Sequence, residues 1–276
     1  MSFLKSIIYG FISGLAEFLP VSAKAHQALL RYMFGVQTRV PSLDLLVHIG
    51  ILLSVFVSCR EFISRLRREM QTSSLTRRIK RQKTDSLLLY DLRLLKTAAI
   101  SLTFCSIILL FIFRIEGRIL TVVGLLILNA VILLLASHSQ YGNRDSRTMS
   151  ALDGVVMGVL GCLSVFPGIS RIGIISSYTT LRGADYRNSM NWVIILSIPA
   201  IILLCLFDII GIIGIGIGNI TFTSMIGYFF AGLSAFLGGY IAVSILFVIL
   251  TYYSFSYFAY YSLGVSLFSF ILYLIT

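Results

Sequence analysis

The sequence predicts an all-α, polytopic membrane protein, and three observations carry that prediction. First, 58% of the 276 residues are hydrophobic and 12% are charged, whereas a soluble globule carries about a quarter charged residues. Second, the mean hydropathy is +0.95, and uncharged runs approaching or reaching the roughly 17–25 residues needed to cross a bilayer recur along the chain. Third, two of the apolar stretches are each interrupted by a proline, a serine and an ionisable group. Ionisable groups are costly at membrane depth and mark a function when they occur there. The predicted architecture is one integral membrane domain over residues 1–276, built from inverted repeats with two re-entrant, broken helix hairpins. Repeat 1 covers about 1–137 and repeat 2 about 151–276.

Taken in order, the chain opens on an apolar stretch with one lysine, Lys5, that runs straight into Glu17. No small-residue cleavage site follows, so the segment predicts a membrane element and not a cleavable signal peptide. The first break is Glu17-Phe18-Leu19-Pro20-Val21-Ser22, with His26 beyond it. Leu45–Ser58 reads as a span bounded by Arg60. Residues 60–93 then hold ten of the 22 basic residues, opposed only by Glu61, Glu69, Asp85 and Asp91. They read as a basic cytoplasmic loop under the positive-inside rule, attracted to anionic lipid headgroups and not to nucleic acid.

Counting outward from that loop orients the rest. Leu45–Ser58 runs inward, leaving the stretch around Arg39–Ser42 outside. Thr97–Phe113 returns outward, Arg114–Arg118 is an external turn, and Ile119–Ser137 comes back to a cytoplasmic His138–Ser150. The second break, Phe166-Pro167-Gly168-Ile169-Ser170-Arg171, follows. Trp192–Phe207 runs outward, Ile209–Leu250 is long enough to turn once, and Ser254–Ile275 closes the chain. If both breaks are hairpins that dip in and return, the first enters from outside and the second from inside, which is an inverted repeat. Asp153 and Asp208 read as solvated caps at span ends. The tyrosines Tyr252, Tyr253, Tyr257, Tyr260 and Tyr261 read as an interfacial belt. Cys59, Cys105, Cys162 and Cys205 lie in or beside apolar runs without metal-ligand spacing and read as small packing residues.

The chemistry sits at the breaks. Irregular backbone survives in a membrane only where protein buries it or it lines a wet cavity. Pro20 and Pro167 each remove a donor, and Gly168 frees the backbone to bend. A helix restarting after either break aims N–H groups at the cavity, a ready site for phosphate. Arg171 adds a permanent cation with a fork suited to phosphate oxygens. Glu17 requires protonation or a cation, either Arg171 or a divalent metal that bridges to phosphate. His26 is nine residues past Glu17 across the break, so only the fold can bring the two together. It is a candidate nucleophile or general acid, and Ser22 and Ser170 are candidate hydrogen-bond donors to the same anion. A Glu–Arg pair between helices is also compatible with a purely structural role, and so is a single intramembrane histidine.

Gly14-Leu15-Ala16-Glu17-Phe18-Leu19-Pro20-Val21-Ser22 followed by His26 resembles the first signature of the bacterial undecaprenyl-pyrophosphate phosphatase (bacitracin-resistance) family, roughly (E/Q)GxTEFLPxSSxGH. Pro167-Gly168-Ile169-Ser170-Arg171-Ile172-Gly173 resembles its second, PGxSRSGxT. Leu43-Asp44, His48-Ile49-Gly50, Gly183, Arg187 and Ser197-Ile198-Pro199-Ala200 also match, so the likeness covers about residues 10–60 and 154–201.

The resemblance implies an inner-membrane enzyme whose site opens to the outer face. Its reaction would remove the terminal phosphate of undecaprenyl pyrophosphate and so recycle the cell-wall lipid carrier. It assigns catalysis to Glu17, His26 and Arg171, and substrate binding to Ser22, Gly168, Ser170 and Gly173. It further implies a divalent metal ion, Mg or Ca, on Glu17. The expected partners are undecaprenyl pyrophosphate and membrane lipids, with a homodimer left open.

Ser13, Ala23, Lys24, Ala25, Ile172 and Ile175 depart from the family pattern, removing one carboxylate and three hydroxyls. Lys24 enters the substrate-binding set as positive charge in compensation. The alternative reading is a non-catalytic lipid-phosphate binder or flippase of the same fold, since inverted repeats around a midplane anion site also suit alternating access.

Overall fold

A computed structural model describes residues 1–36, 38–79, 87–112, 118–139, 141–215, 221–252 and 254–275. Among these residues every regular element is helical, and the sole extended pairing is an isolated bridge between Arg144 and Ala184. The helices are α1 (Phe3–Glu17), α2 (Ala23–Met33), α3 (Pro41–Ser58), α4 (Arg60–Ile79), α5 (Leu87–Ile112), α6 (Ile119–Ser137), α7 (Ala151–Cys162), α8 (Arg171–Leu181), α9 (Tyr186–Ile195), α10 (Ser197–Ile215), α11 (Phe222–Tyr252) and α12 (Phe255–Ile275). Among the described residues six segments are long and apolar enough to cross a membrane: Pro41–Ser58, Tyr90–Phe111, Ile119–Ser137, Tyr186–Gly214, Phe222–Val248 and Phe255–Ile275. The chain is a polytopic helical membrane protein.

The two breaks fall between short helices, for a local reason. Pro20 has no N–H to offer the carbonyl one turn back, so α1 stops at Glu17. Ser22 takes φ +63°, a left-handed conformation rare outside glycine, and α2 restarts at Ala23. In the second break a 3-10 turn over Leu163–Val165 leads into Pro167 and Gly168. Gly168 has φ +134°, and a side chain there would run into Leu125 of α6. α8 then starts at Arg171. Proline also explains the seam between α9 and α10, since Pro199 cannot donate to Ile195.

The short helices before the breaks are held by backbone-to-backbone packing. Gly10 and Gly14 set α1 directly against the backbone of α11 at Ala231 and Ala235. Gly154 and Gly158 set α7 against α5 at Leu94 and Ala98. Both are small-xxx-small pairs, the device that lets helices approach closely in lipid.

Several expectations need correction. The basic segment 60–93 is not a loop: α4 runs through Ile79 and α5 begins at Leu87, with Phe62, Leu66, Leu94 and Leu95 buried. Lys80, Arg81, Lys83 and Asp85 lie outside the described residues, as do Arg114 and Tyr253. α3 begins at Pro41 and not Leu45, because Asp44 is buried inside the helix, 2% exposed. Asp208 lies within α10 and is 1% exposed, so it is no solvated cap. Asp153 does cap α7, in a reciprocal box with Ser150, but it is 3% exposed and bonded by Tyr178 and Arg182.

Candidate active site

The two breaks are stitched to each other. Ser22 Oγ accepts the N–H of Gly168 at 3.0 Å, and Ser170 Oγ donates to the Leu19 carbonyl at 3.1 Å. Each serine also caps its own helix, Ser22 accepting from Ala25 N and Ser170 from Gly173 N. The two hydroxyls therefore serve first to align the breaks, and Gly168 and Gly173 contribute backbone N–H groups to that alignment.

Asn129 on α6 completes the clamp. Its Oδ1 accepts Ser170 N–H at 2.9 Å, and its Nδ2 donates to the Pro20 carbonyl and to Ser262 Oγ, both at 3.2 Å. Sequence reasoning passed over Asn129. Its signal was available: it is the one amide side chain in the apolar run Ile119–Ser137, and a lone amide at that depth needs partners.

This stitching brings Glu17 and Arg171 into contact, with Arg171 Nη2 donating to Glu17 Oε1 at 2.5 Å. The arginine side chain is 5% exposed and the glutamate 10%. Arg171 Nε is buried and has no hydrogen-bond partner among the described residues. One arm of the fork is thus taken and the other idle.

Lys24 enters the same narrow cavity, whose polar lining also includes Ser106, Ser164 and Ser170, with α5 and α10 supplying the apolar wall. Its ammonium donates to the Val165 carbonyl at 3.1 Å. Lys24 and Arg171 lie in the first turns of α2 and α8, neither of which carries an acidic residue there. A cation at a helix N-terminus opposes the helix dipole. Two such placements facing one cavity make it a strong attractor for an anion.

His26 is not part of that cavity. Its Nδ1 lies 2.9 Å from the Ser22 carbonyl and its Nε2 2.9 Å from Tyr261 Oη, with the two rings stacked. A carbonyl can only accept, so Nδ1 carries the proton and Nε2 accepts from the tyrosine. The ring faces an apolar groove lined by Ile12, Leu15, Leu19, Val21, Tyr257 and Tyr261. Ala16 lines both groove and cavity, so the two are separated by the thickness of α1. Tyr261 is accordingly a partner of His26 and more than a belt residue.

The divalent metal implied by the resemblance does not suit these donors. Among the described residues Glu17 is the only carboxylate lining the cavity, and no histidine or cysteine lines it. Among the described residues no group of three His, Cys, Asp or Glu side chains is placed to hold a metal ion. Ser13 turns its hydroxyl back onto the Tyr9 carbonyl at 2.6 Å.

A second polar cluster joins α1, α2, α3 and α10. Tyr9 Oη donates to Asp44 Oδ1 at 2.7 Å and accepts from Arg31 at 2.8 Å. Arg39 bridges Asp44 at 3.1 Å and Asp208 at 2.7 Å, and His48 Nδ1 meets Asp208 Oδ2 at 2.6 Å.

A family model described as bacitracin resistance protein BacA matches residues 6–268. An undecaprenyl-diphosphatase of Alkaliphilus metalliredigens is 30% identical over 272 residues, covering 95% of this chain and 95% of its own. One of Carboxydothermus hydrogenoformans is 30% identical over 263 residues, covering 95% of this chain and 94% of its own. Undecaprenyl-diphosphatase 3 of Bacillus cereus is 28% identical over 267 residues, covering 97% and 96%. With both breaks and nearly all of its length inside the match, the chain belongs to the bacitracin resistance protein BacA family.

Proposed function

We propose that this chain is a phosphatase that hydrolyses undecaprenyl pyrophosphate to undecaprenyl phosphate and inorganic phosphate in a bacterial cell membrane. The observation that carries the reading is the idle Nε of Arg171, a buried donor beside a second cation, Lys24, in a cavity at two helix N-termini. A half-used guanidinium fork matches a group with several acceptor oxygens on one centre, as a phosphoryl group has. The relatives' names supply the substrate class.

The chain's own residues suffice for an in-line hydrolysis. A diphosphate entering the cavity competes with Glu17 for Arg171. Once a phosphoryl group holds the guanidinium, Glu17 loses its cation and can take a proton from water. The water oxygen attacks the terminal phosphorus, its proton passes to Glu17, and the bond to the bridging oxygen breaks. The electron pair stays on the departing lipid phosphate, where Lys24 and Arg171 offset the charge. His26 then acts as a positioning residue, fixing the Ser22 carbonyl at the strained break.

The inner-membrane location, a cytoplasmic 60–93 segment and a cavity opening outward complete the reading. The matched glycine pairs on α1 and α7 support two inverted halves. The test is phosphate release from undecaprenyl pyrophosphate by the purified protein in detergent. Release that Arg171→Ala lowers by about a thousandfold is expected, the scale of losing an electrostatic donor in a dry site. Tight substrate binding with no release would overturn it in favour of a non-catalytic binder.

A further inference from the structure

We propose that Lys24 and Arg171 together do the work of a divalent cation, so that this chain cleaves its diphosphate without a metal ion. The inference rests on the reading of the cavity as a phosphatase site and concerns how that site neutralises its substrate.

Three independent features point the same way. The first is the donor set. Hard divalent ions take six or more oxygens, normally with more than one carboxylate unless they keep their waters. Here one carboxylate, Glu17, is available, and Arg171 already holds it. The second is charge. A metal ion beside Glu17 would share the cavity with two positive side chains and two positive helix ends. Like charges about 4 Å apart repel by roughly 4 kcal/mol per unit pair at an effective dielectric of 20. The third is unused donor capacity. An ammonium carries three N–H bonds, and the one protein acceptor found for Lys24 among the described residues is the Val165 carbonyl. Its remaining donors and the unpaired Arg171 Nε are the donor capacity left over for phosphate oxygens.

Lys24 also owes its position to the fold. Val165 closes the 3-10 turn just before the second break, so its carbonyl draws the ammonium from the first break across to the second. An ammonium supplied by one break and a guanidinium supplied by the other thus line one cavity beside Glu17.

The experiment uses the full-length protein purified in detergent and stripped with excess EDTA. Two quantities are measured: phosphate release from undecaprenyl pyrophosphate, and calorimetric binding of inorganic pyrophosphate, each with chelator and with added Mg²⁺ or Ca²⁺. The expected result is turnover within about twofold with and without metal, and pyrophosphate binding that survives the chelator. Lys24→Gln should weaken chelator-resistant binding at least tenfold, and Lys24→Arg should retain most of it. Turnover or binding that vanishes in EDTA and returns with metal overturns the proposal while leaving the phosphatase reading intact. Unchanged binding in Lys24→Gln also overturns it. If neither condition releases phosphate, the phosphatase reading fails, and the pyrophosphate titrations still decide whether Lys24 replaces a metal. Should Lys24→Gln not fold, the wild-type comparison in EDTA decides alone.

Discussion

Two of the polar centres among the described residues are built on opposite plans. In the cluster of Tyr9, Arg31, Arg39, Asp44, His48 and Asp208, all four carboxylate oxygens have a donor, and two arginines face two aspartates. In the cavity at the breaks, one carboxylate faces two cations, and a buried guanidinium nitrogen is left without a partner. A closed charge account is what a strut between helices needs. A surplus of one sign, held rigidly by uncharged neighbours, is what an anion site needs. The density of charge does not separate the two; the pairing does.

The contrast is broken most severely by neutralising a carboxylate in each centre. Glu17→Gln removes the proton acceptor yet leaves Arg171 more open to phosphate. A fall in kcat of about a thousandfold with KM unchanged or lower is expected, within the range known for loss of a general base together with its electrostatic partner. Asp208→Asn should do the reverse. Removing one member of a buried ion cluster costs about 3–5 kcal/mol, seen as a lower melting temperature in detergent, while kcat of the folded protein stays within about threefold. Equal kinetic damage from both substitutions would erase the distinction drawn between strut and site.

A finer test uses Asn129, which is neutral and touches neither Glu17 nor Arg171. Asn129→Leu leaves the Ser170 N–H and the Pro20 carbonyl unpaired, at about 1–3 kcal/mol for each. Because those groups align the two breaks, the expected loss in kcat/KM is about 30–100-fold, comparable with misplacing a catalytic group by a fraction of an ångström. A variant that melts earlier but turns over normally would make Asn129 structural only.

What could be read from the sequence follows the same division. Glu17 and Arg171 stood out because each is ionisable, shares a short break with a proline, and lies in an otherwise apolar run. Their pairing across 154 residues was a prediction of chemistry, since a lone buried charge needs a counterion. The second cluster was not legible. Tyr9 counts as apolar, Arg39 and Asp44 sit where a span end looks solvated, and nothing local links His48 to Asp208. The helical nature of residues 60–79 was hidden because charge density marked a side of the membrane and not a conformation. The glycine pairs that seat α1 and α7 were visible but unexplained until their backbone partners on α11 and α5 were known.

The smallest expected effect concerns His26, where spacing and geometry part company. As a titratable group beyond the first break, His26 is a candidate nucleophile or general acid. The fold instead turns the imidazole to the far side of α1's end, with Nδ1–H on the Ser22 carbonyl and Nε2 receiving Tyr261 Oη. A ring with both nitrogens engaged outside the cavity has no free lone pair to attack phosphorus. Under the proposed function its contribution is to hold Ser22 at its left-handed φ, and through Ser22 the Gly168 N–H and the second break. His26→Gln, whose amide can still donate to that carbonyl, should therefore lower kcat/KM by only about tenfold, on the scale of one neutral hydrogen bond. The pH–rate profile should keep its shape, and Tyr261→Phe should cost less still. Abolition of turnover by His26→Gln, with loss of a titrating limb from the profile, would move His26 into the catalytic set and reopen the assignment of the proton acceptor to Glu17.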